Sequence, residues 1–268
     1  MKENHFTPIR PKSGIIGHRG VAALAPENTL ASFQLAAKQG IDWVEFDLRL
    51  TKDDQLVIFH DDSLQRTTNG EGFVHEKTLN ELIALDAGSW FHPDYHAEKI
   101  PHFNEIFPEL LMMNLTLNLE LKLPSNPTLE HVQGFARSLT ELLQIHWPKD
   151  LNLPLISSFH WPILFLLRNL TPTLPLGFLT KTCTESVLQE IAEIPNSACH
   201  THFQSLTPEL LLLANEYDVP VLTYTVNDPE TAIRLLEQGV FAVFSDDPLQ
   251  ILRHMLKRHD NMPDSLKK

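Results

Sequence analysis

Cysteine is scarce: Cys183 and Cys199 are the only two in 268 residues. That is too few for a disulfide framework and fits a reducing cytosol, so a cytoplasmic setting is expected. Positive charge is short as well. Lysine and arginine number 21 against 34 acidic residues, a formal net charge of −13, which argues against nucleic acid or an anionic membrane as partner. A small phosphate compound is not excluded, because a bound cation and a few basic side chains can dominate the potential of one pocket. Long apolar runs are missing. The greasiest stretch, Trp161 to Leu170, is short and carries Arg168, so no segment is expected to cross a bilayer and no stable membrane association is expected. Met1 to Lys12 has no apolar core of the kind a signal peptide needs. Repeats and low-complexity tracts are absent. The 43% of hydrophobic residues is enough for a large core, and the length suits one α/β barrel as well as two smaller domains.

Four polar clusters stand out between residues 14 and 61: His18-Arg19-Gly20, Pro26-Glu27-Asn28-Thr29, Glu45-Phe46-Asp47 and His60-Asp61. Three follow short apolar runs that read as buried strands, namely Gly14-Ile15-Ile16-Gly17, Ile41-Asp42-Trp43-Val44 and Leu56-Val57-Ile58-Phe59. Titratable groups gathered at strand ends are the usual pattern of an α/β active site. Glu45 and Asp47 lie two apart on one strand and share a face, a spacing of oxygen ligands suited to Mg²⁺ or Ca²⁺. A turn centred on Asp53-Asp54 pairs Leu50 with Val57 and Asp47 with His60, returning the imidazole to the carboxylates; a slip of one residue turns it away.

The chain then alternates. Asn28 or Thr29 caps a helix to about Lys38, stopped by Gly40. Residues 62–103 break the rhythm with turn material and a short helix bearing a capping box at Thr78 and Glu81; they are expected to form an insertion beside the strand ends, roofing the pocket. Helix 104–111, strand 115–121, helix 128–145, strand 155–158, helix 161–169, strand 174–179, helix 184–192, a weak strand 197–200, helix 207–216, strand 219–224, helix 228–238 and strand 241–244 follow. The polar tail from Arg258 is expected to fray. With the hairpin's return strand left out, about eight strands alternate with helices, which predicts a TIM-type (β/α)8 barrel as a single domain over 1–268, with 62–103 as an inserted subdomain after the second barrel strand.

Farther along, Asn118-Leu119-Glu120-Leu121-Lys122 alternates so that Glu120 and Lys122 share a face. Glu120 completes a three-carboxylate site, and Lys122, like Arg19, offers positive charge to a phosphate. With two histidines to move protons, the set is equipped for phosphoryl transfer.

The sequence resembles the glycerophosphodiester phosphodiesterases. The resemblance rests on Ile16-Gly17-His18-Arg19-Gly20, Pro26-Glu27-Asn28-Thr29, the run Val44 to Asp53, Val57-Ile58-Phe59-His60-Asp61, Arg66-Thr67-Thr68-Asn69-Gly70, Glu120-Leu121-Lys122, Thr223-Tyr224-Thr225-Val226-Asn227 and Ser245-Asp246-Asp247-Pro248, in order over nearly the whole chain. It implies a TIM barrel and metal-dependent hydrolysis of a small glycerophosphodiester to glycerol 3-phosphate and an alcohol. By the same resemblance Glu45, Asp47 and Glu120 bind the metal, Mg²⁺ or Ca²⁺. His18 and His60 are the acid–base pair, Arg19 and Lys122 hold the phosphate, and Tyr224, where the family often has Trp, lines the pocket as an apolar wall. Glu27 is read as organising the loop around Asn28, and His200 as background. The chain departs from the family at Ser245, at Pro101 to Glu105 and over Ala198 to Gln204. Two other readings compete. One is a barrel phospholipase of the C or D kind, disfavoured because no membrane-binding helix or basic patch is evident. The other is a silent metal- or phosphodiester-binding protein, disfavoured by the intact histidine and carboxylate set.

Overall fold

The computed structural model describes residues 6–260, over which strands alternate with helices except at one hairpin and in the segment from there to residue 112. In chain order the elements are β1 (Ile15–Gly17), α1 (Leu30–Lys38), β2 (Trp43–Leu50), β3 (Leu56–Ile58), α2 (Leu79–Ile83), α3 (Phe103–Met112), β4 (Thr116–Leu121) and α4 (Leu129–Ile145). They continue with β5 (Leu155–Ser158), α5 (Trp161–Leu170), β6 (Leu176–Thr180), α6 (Glu185–Ala192), β7 (Ser197–His202), α7 (Pro208–Glu216), β8 (Val221–Tyr224), α8 (Pro229–Glu237), β9 (Ala242–Ser245) and α9 (Pro248–Asp260). The sheet runs β1-β9-β8-β7-β6-β5-β4-β2-β3, and β1 also pairs with β2. That last pairing closes a barrel of parallel strands, and β3 stands outside it as the antiparallel return of a hairpin. The protein is therefore an α/β barrel of the TIM type.

Alternation along each strand grades the barrel interior. Trp43, Glu45 and Asp47 share one face of β2, and Ile16, Leu155, Ala198, Leu222 and Ala242 stand two residues before His18, Ser157, His200, Tyr224 and Phe244. The earlier member of each set belongs to one buried apolar cluster that plugs the barrel. The later members face the carboxyl ends of the strands, where barrel sites are built. Outward residues such as Val44, Phe46, Leu117 and Leu119 enter the larger core beneath the helices.

The helix starts follow local chemistry. Thr29, Thr128, Thr184 and Thr207 accept from backbone N–H groups in the first turns of α1, α4, α6 and α7. Gly40 follows α1 with φ +80° and ends it as expected. The capping box at Thr78 and Glu81 is present. One helix was not anticipated. After Pro248 the chain forms α9, which runs through Arg258 to Asp260; the rest of the expected fraying tail lies outside the described residues.

Two expectations need correction. The hairpin pairs Arg49 with Val57 and Leu50 with Leu56, one residue off the expected register, and Phe59 rather than His60 donates its N–H to Asp47. The physical cause is a three-residue turn, Lys52 to Asp54. Asp54 takes φ +57°, while the Thr51 hydroxyl donates to Asp53 and accepts from the Gln55 N–H. Residues 62–103, expected to roof the pocket, supply none of the side chains that line it. Their buried side chains Leu64, Val74, Leu82, Ala87 and Ile100 cluster with Val57 and Phe59, so the segment packs against β3 and reaches the site through Arg66.

Phe46 is fully buried and touches the rings of Phe33 and Phe103 at 5.2 and 5.6 Å between centroids. Phe46→Ala is expected to lower stability by about 3–5 kcal/mol, seen as a lower urea midpoint with an unchanged slope; an unchanged midpoint contradicts this packing.

Candidate active site

The loop after β1 is built around two glycines. A Cβ on Gly17 would stand 2.1 Å from the Gly20 carbonyl oxygen, and Gly20 itself has φ +88°. Arg19, between them, is held at φ +52°, a costly conformation for a side-chain-bearing residue. The turn aims the Arg19 N–H at Glu45 Oε2, 3.1 Å away, and the Gly20 N–H at the Glu45 carbonyl. His18 emerges with Nδ1 2.6 Å from Asp246 Oδ1 and Nε2 3.9 Å from Glu45 Oε2. Asp246 is fixed in turn, because Asn227 Nδ2 donates to its other oxygen and Asn227 Oδ1 accepts from its backbone N–H.

The carboxylates converge because β2 and β4 run side by side with Glu45 opposite Asn118 and Asp47 opposite Glu120. One oxygen each of Glu45, Asp47 and Glu120 lies within 4.8 Å of the others. Such a cluster repels itself unless cations or protons intervene. Lys122 Nζ is 2.8 Å from Glu120 and 3.5 Å from Asp47, and Arg19 Nε is 3.5 Å from the other Asp47 oxygen. Asn28, at φ +59°, donates Nδ2 to Asp47 at 2.8 Å and accepts the Asp47 N–H. Burial alone pushes the Asp47 pKa up, yet Lys122, Arg19, His60 and the Asn28 hydrogen bond hold it well below the carboxylate range. Glu45 goes the other way. Burial, then repulsion by Asp47, lifts it to about 8, and Oε1 is buried without a hydrogen-bond partner. Burial also raises Glu120, against the pull of Lys122.

His60 reaches the cavity in spite of the shifted register, because the chain leaves β3 at Ile58 and bends. Arg49 Nε donates to the His60 carbonyl at 2.9 Å and pairs with Asp62 at 2.6 Å, fixing that bend. His60 Nδ1 lies 2.6 Å from Asp61. Asp61 and Glu27 are both gripped by Arg66, and Glu27 also accepts from Arg19 Nη1 at 2.7 Å. Each histidine therefore has a carboxylate on Nδ1, which leaves Nε2 for the cavity. Their pKa values diverge. Burial lowers that of His18, but the Asp246 hydrogen bond and Glu45 outweigh it, so the net shift is upward. Burial lowers that of His60, and with Lys122 and Arg19 it overcomes the opposing pull of Asp47.

His18, Arg19, Glu45, His60, Glu120, Lys122 and Tyr224 line one cavity of about 140 Å³, with Asp47 buried directly behind its wall. A larger cavity of about 310 Å³ beside α4 shares Lys122 but none of the carboxylates. Tyr224 is more than an apolar wall. Its hydroxyl donates to the Thr180 carbonyl at 2.7 Å, and its ring meets Phe159 edge-on. Sequence reasoning leaves Asp246, Asp61 and Arg66 without roles, and it reads His200, which lines the cavity, as background. Their motifs had been noted, but spacing along the chain does not reveal a hydrogen bond across 228 residues such as that from His18 to Asp246. Asn28 was read as a possible cap, and Thr29 alone caps α1.

The glycerophosphoryl diester phosphodiesterase family model matches residues 18–250. A glycerophosphodiester phosphodiesterase of Caldanaerobacter subterraneus is 32% identical over 249 residues, covering 92% of this chain and 99% of the relative. Among solved structures, a phosphodiesterase of Oleispira antarctica in complex with the product sn-glycerol-3-phosphate aligns with a TM-score of 0.84 at 37% identity, covering 90% of this chain and 96% of that one. A glycerophosphodiester phosphodiesterase of Thermotoga maritima aligns at 0.69 and 25%, covering 90% and 97%. The family match over most of the chain, together with relatives covered almost end to end, establishes that this chain belongs to the glycerophosphoryl diester phosphodiesterase family of hydrolases.

Proposed function

We propose that this protein hydrolyses small glycerophosphodiesters to glycerol 3-phosphate and an alcohol, with a divalent cation, Mg²⁺ or Ca²⁺, held by Glu45, Asp47 and Glu120. The observation that carries the reading is the meeting of those three carboxylates with two histidine–aspartate pairs at one cavity. The residues fit a hard cation. The donors are all oxygens, and Glu45 Oε1 is a buried acceptor with no hydrogen bond. When bound, such an ion neutralises charge developing on phosphate oxygens and polarises what it touches.

The protein's own groups supply the rest. Arg19 and Lys122 flank the carboxylates and bind the phosphate oxygens, the first as a planar fork and the second as a point charge. His60, whose pKa is lowered, is the base. Its Nε2 takes the proton from an attacking water as the new O–P bond forms; where the glycerol 2-hydroxyl attacks instead, the cyclic phosphate so formed is opened by a water in a second step, with the two histidines exchanging roles. His18, whose pKa is raised, is the acid. Its Nε2–H passes a proton to the alcohol oxygen as the old P–O bond breaks. Asp61 and Asp246 each accept from an imidazole Nδ1–H and so fix both rings with Nε2 toward the cavity. The setting read from cysteine usage is cytoplasmic, and no described helix is long and apolar enough to cross a membrane.

Release of glycerol 3-phosphate from glycerophosphocholine or glycerophosphoethanolamine, abolished by chelator and restored by Mg²⁺ or Ca²⁺, is the expected result. Choline phosphate as product, or turnover of intact phospholipid alone, contradicts the reading. His18→Ala and His60→Ala should each cut kcat by about 10²- to 10⁴-fold, and near wild-type turnover by either variant removes that residue from the mechanism. The kcat/KM profile should be a bell. Its acid limb lies below the ordinary imidazole value, where His60 loses its proton, and its alkaline limb above that value, where His18 does. Asp246→Asn should lower kcat at least about tenfold with KM little changed, because it disturbs His18 without touching substrate; a pure KM effect argues against this role.

The proton on Glu45 makes a separate prediction. Below a pKa of about 8 that carboxyl is protonated in the metal-free protein, and a ligand must be ionised. Calorimetry at pH 7 in buffers of different ionisation enthalpy should register about one proton released per cation bound. Affinity should rise with pH and level off above 8. Affinity independent of pH contradicts a protonated Glu45.

A further inference from the structure

Arg66 heads a motif, Arg66-Thr67-Thr68-Asn69-Gly70, that neither the carboxylate cluster nor the two histidines account for. Its backbone is a built turn. Thr68 Oγ1 donates to the Leu64 carbonyl at 2.6 Å and accepts the Gly70 N–H at 3.0 Å, and Asn69 exchanges two hydrogen bonds with the Asp86 backbone. What the turn presents is the Arg66 side chain. Its Nη1 and Nη2 donate to the two Glu27 oxygens at 2.8 and 2.7 Å. Its Nε and Nη2 donate to the two Asp61 oxygens at 2.6 and 3.0 Å. One planar guanidinium thus holds two carboxylates, each by both oxygens, which an ammonium group cannot reproduce.

Each of these carboxylates is also bonded to a group that lines the cavity. Glu27 Oε1 accepts from Arg19 Nη1 at 2.7 Å, and Asp61 Oδ1 lies 2.6 Å from His60 Nδ1. An unbroken line of contacts therefore runs Arg19–Glu27–Arg66–Asp61–His60, from the phosphate-binding guanidinium to the base. Burial pushes both carboxyls up, and the Arg66 hydrogen bonds are the largest opposing influence, with Asp61 brought down to about 2. The Arg66 side chain is 44% exposed, so these ion pairs add little to folding stability. Their effect is directional. A carboxylate held by both oxygens cannot turn, and it orients the donor bonded to it. Arg66 itself does not line the cavity. We propose that Arg66 is a positioning residue that locks His60 and Arg19 into one unit, so that base and phosphate clamp keep a fixed relation to each other. This rests on the reading of the site as a glycerophosphodiesterase and adds to it a residue that acts only through others.

The test assays glycerophosphocholine hydrolysis by wild type, Arg66→Ala and Arg66→Lys, with urea unfolding alongside. Arg66→Ala should keep the wild-type urea midpoint, lower kcat by about 10- to 100-fold and raise KM severalfold. The kcat effect should vanish in an Asp61→Ala background and the KM effect in a Glu27→Ala background, because Arg66 acts through those two side chains. Guanidinium chloride, and not sodium chloride at equal ionic strength, should restore part of the lost kcat, since the vacated position is open to solvent. Arg66→Lys should stay well below wild type. Near wild-type kcat and KM in Arg66→Ala overturn the proposal, as does full activity in Arg66→Lys, where charge alone would suffice. A loss of the same size in both backgrounds overturns it too. So does a loss that comes with a lower urea midpoint and that guanidinium does not restore, which marks a purely structural role. Should Arg66→Ala fail to fold, Arg66→Lys and Arg66→Gln decide, and full activity in either overturns the proposal. A wild type inactive on every glycerophosphodiester refutes the enzymatic reading by itself. Calorimetry with sn-glycerol 3-phosphate then reads the clamp: weaker binding in Arg66→Ala, with no further loss when Glu27→Ala is added, supports the link, equal binding overturns it, and no binding by wild type overturns both.

Discussion

The ionised state of Asp47 is the constraint on which the site depends. It is a buried carboxylate beside two others, and isolation would cost it its charge. Lys122 and Arg19 approach its two oxygens from opposite sides, and Asn28 adds a hydrogen bond. Burial and the charge of Asp47 push Glu45 the other way, up to about 8. The barrel therefore folds around a cluster that is partly balanced from within, and the remaining imbalance is what the proposed divalent cation would remove.

The fold delivers these groups by a simple rule of strand geometry. Each parallel strand turns alternate residues inward, and across the barrel the earlier inward residues are apolar while the later ones are polar or aromatic. The plug gives the floor its rigidity, and the loops after the strands add Arg19, His60 and Asp246. The loop after β1 holds two residues at positive φ, Arg19 and Asn28. Both put a backbone or side-chain amide on a carboxylate, so the conformational cost is met where it positions charge.

Reading the chain alone went far with the barrel, because buried parallel strands separated by amphipathic helices announce themselves through periodicity. It also gathered Glu45, Asp47 and Glu120, since a spacing of two on a strand dictates a shared face. It went wrong where geometry hangs on one residue of turn length. The sequence alone predicts a two-residue turn at Asp53-Asp54, and the turn has three, a difference decided by Asp54 adopting a left-handed backbone. His60 survives that error because it lies past the end of β3. The partners on the far side of each histidine, Asp246 and Asp61, came to light only with distances. So did His200, in a stretch that departs from the family pattern.

Arg66 bears on how such proteins diverge. It reaches from the segment after β3 to grip Asp61 beside one histidine and Glu27 beside Arg19, so the segment is wired into the barrel through two anions that would otherwise face each other. The segment cannot be exchanged as a cassette between homologous barrels unless the recipient's loop before α1 brings a matching acid. Its length and outer surface are free to drift, while this one guanidinium and its two carboxylates must be inherited together.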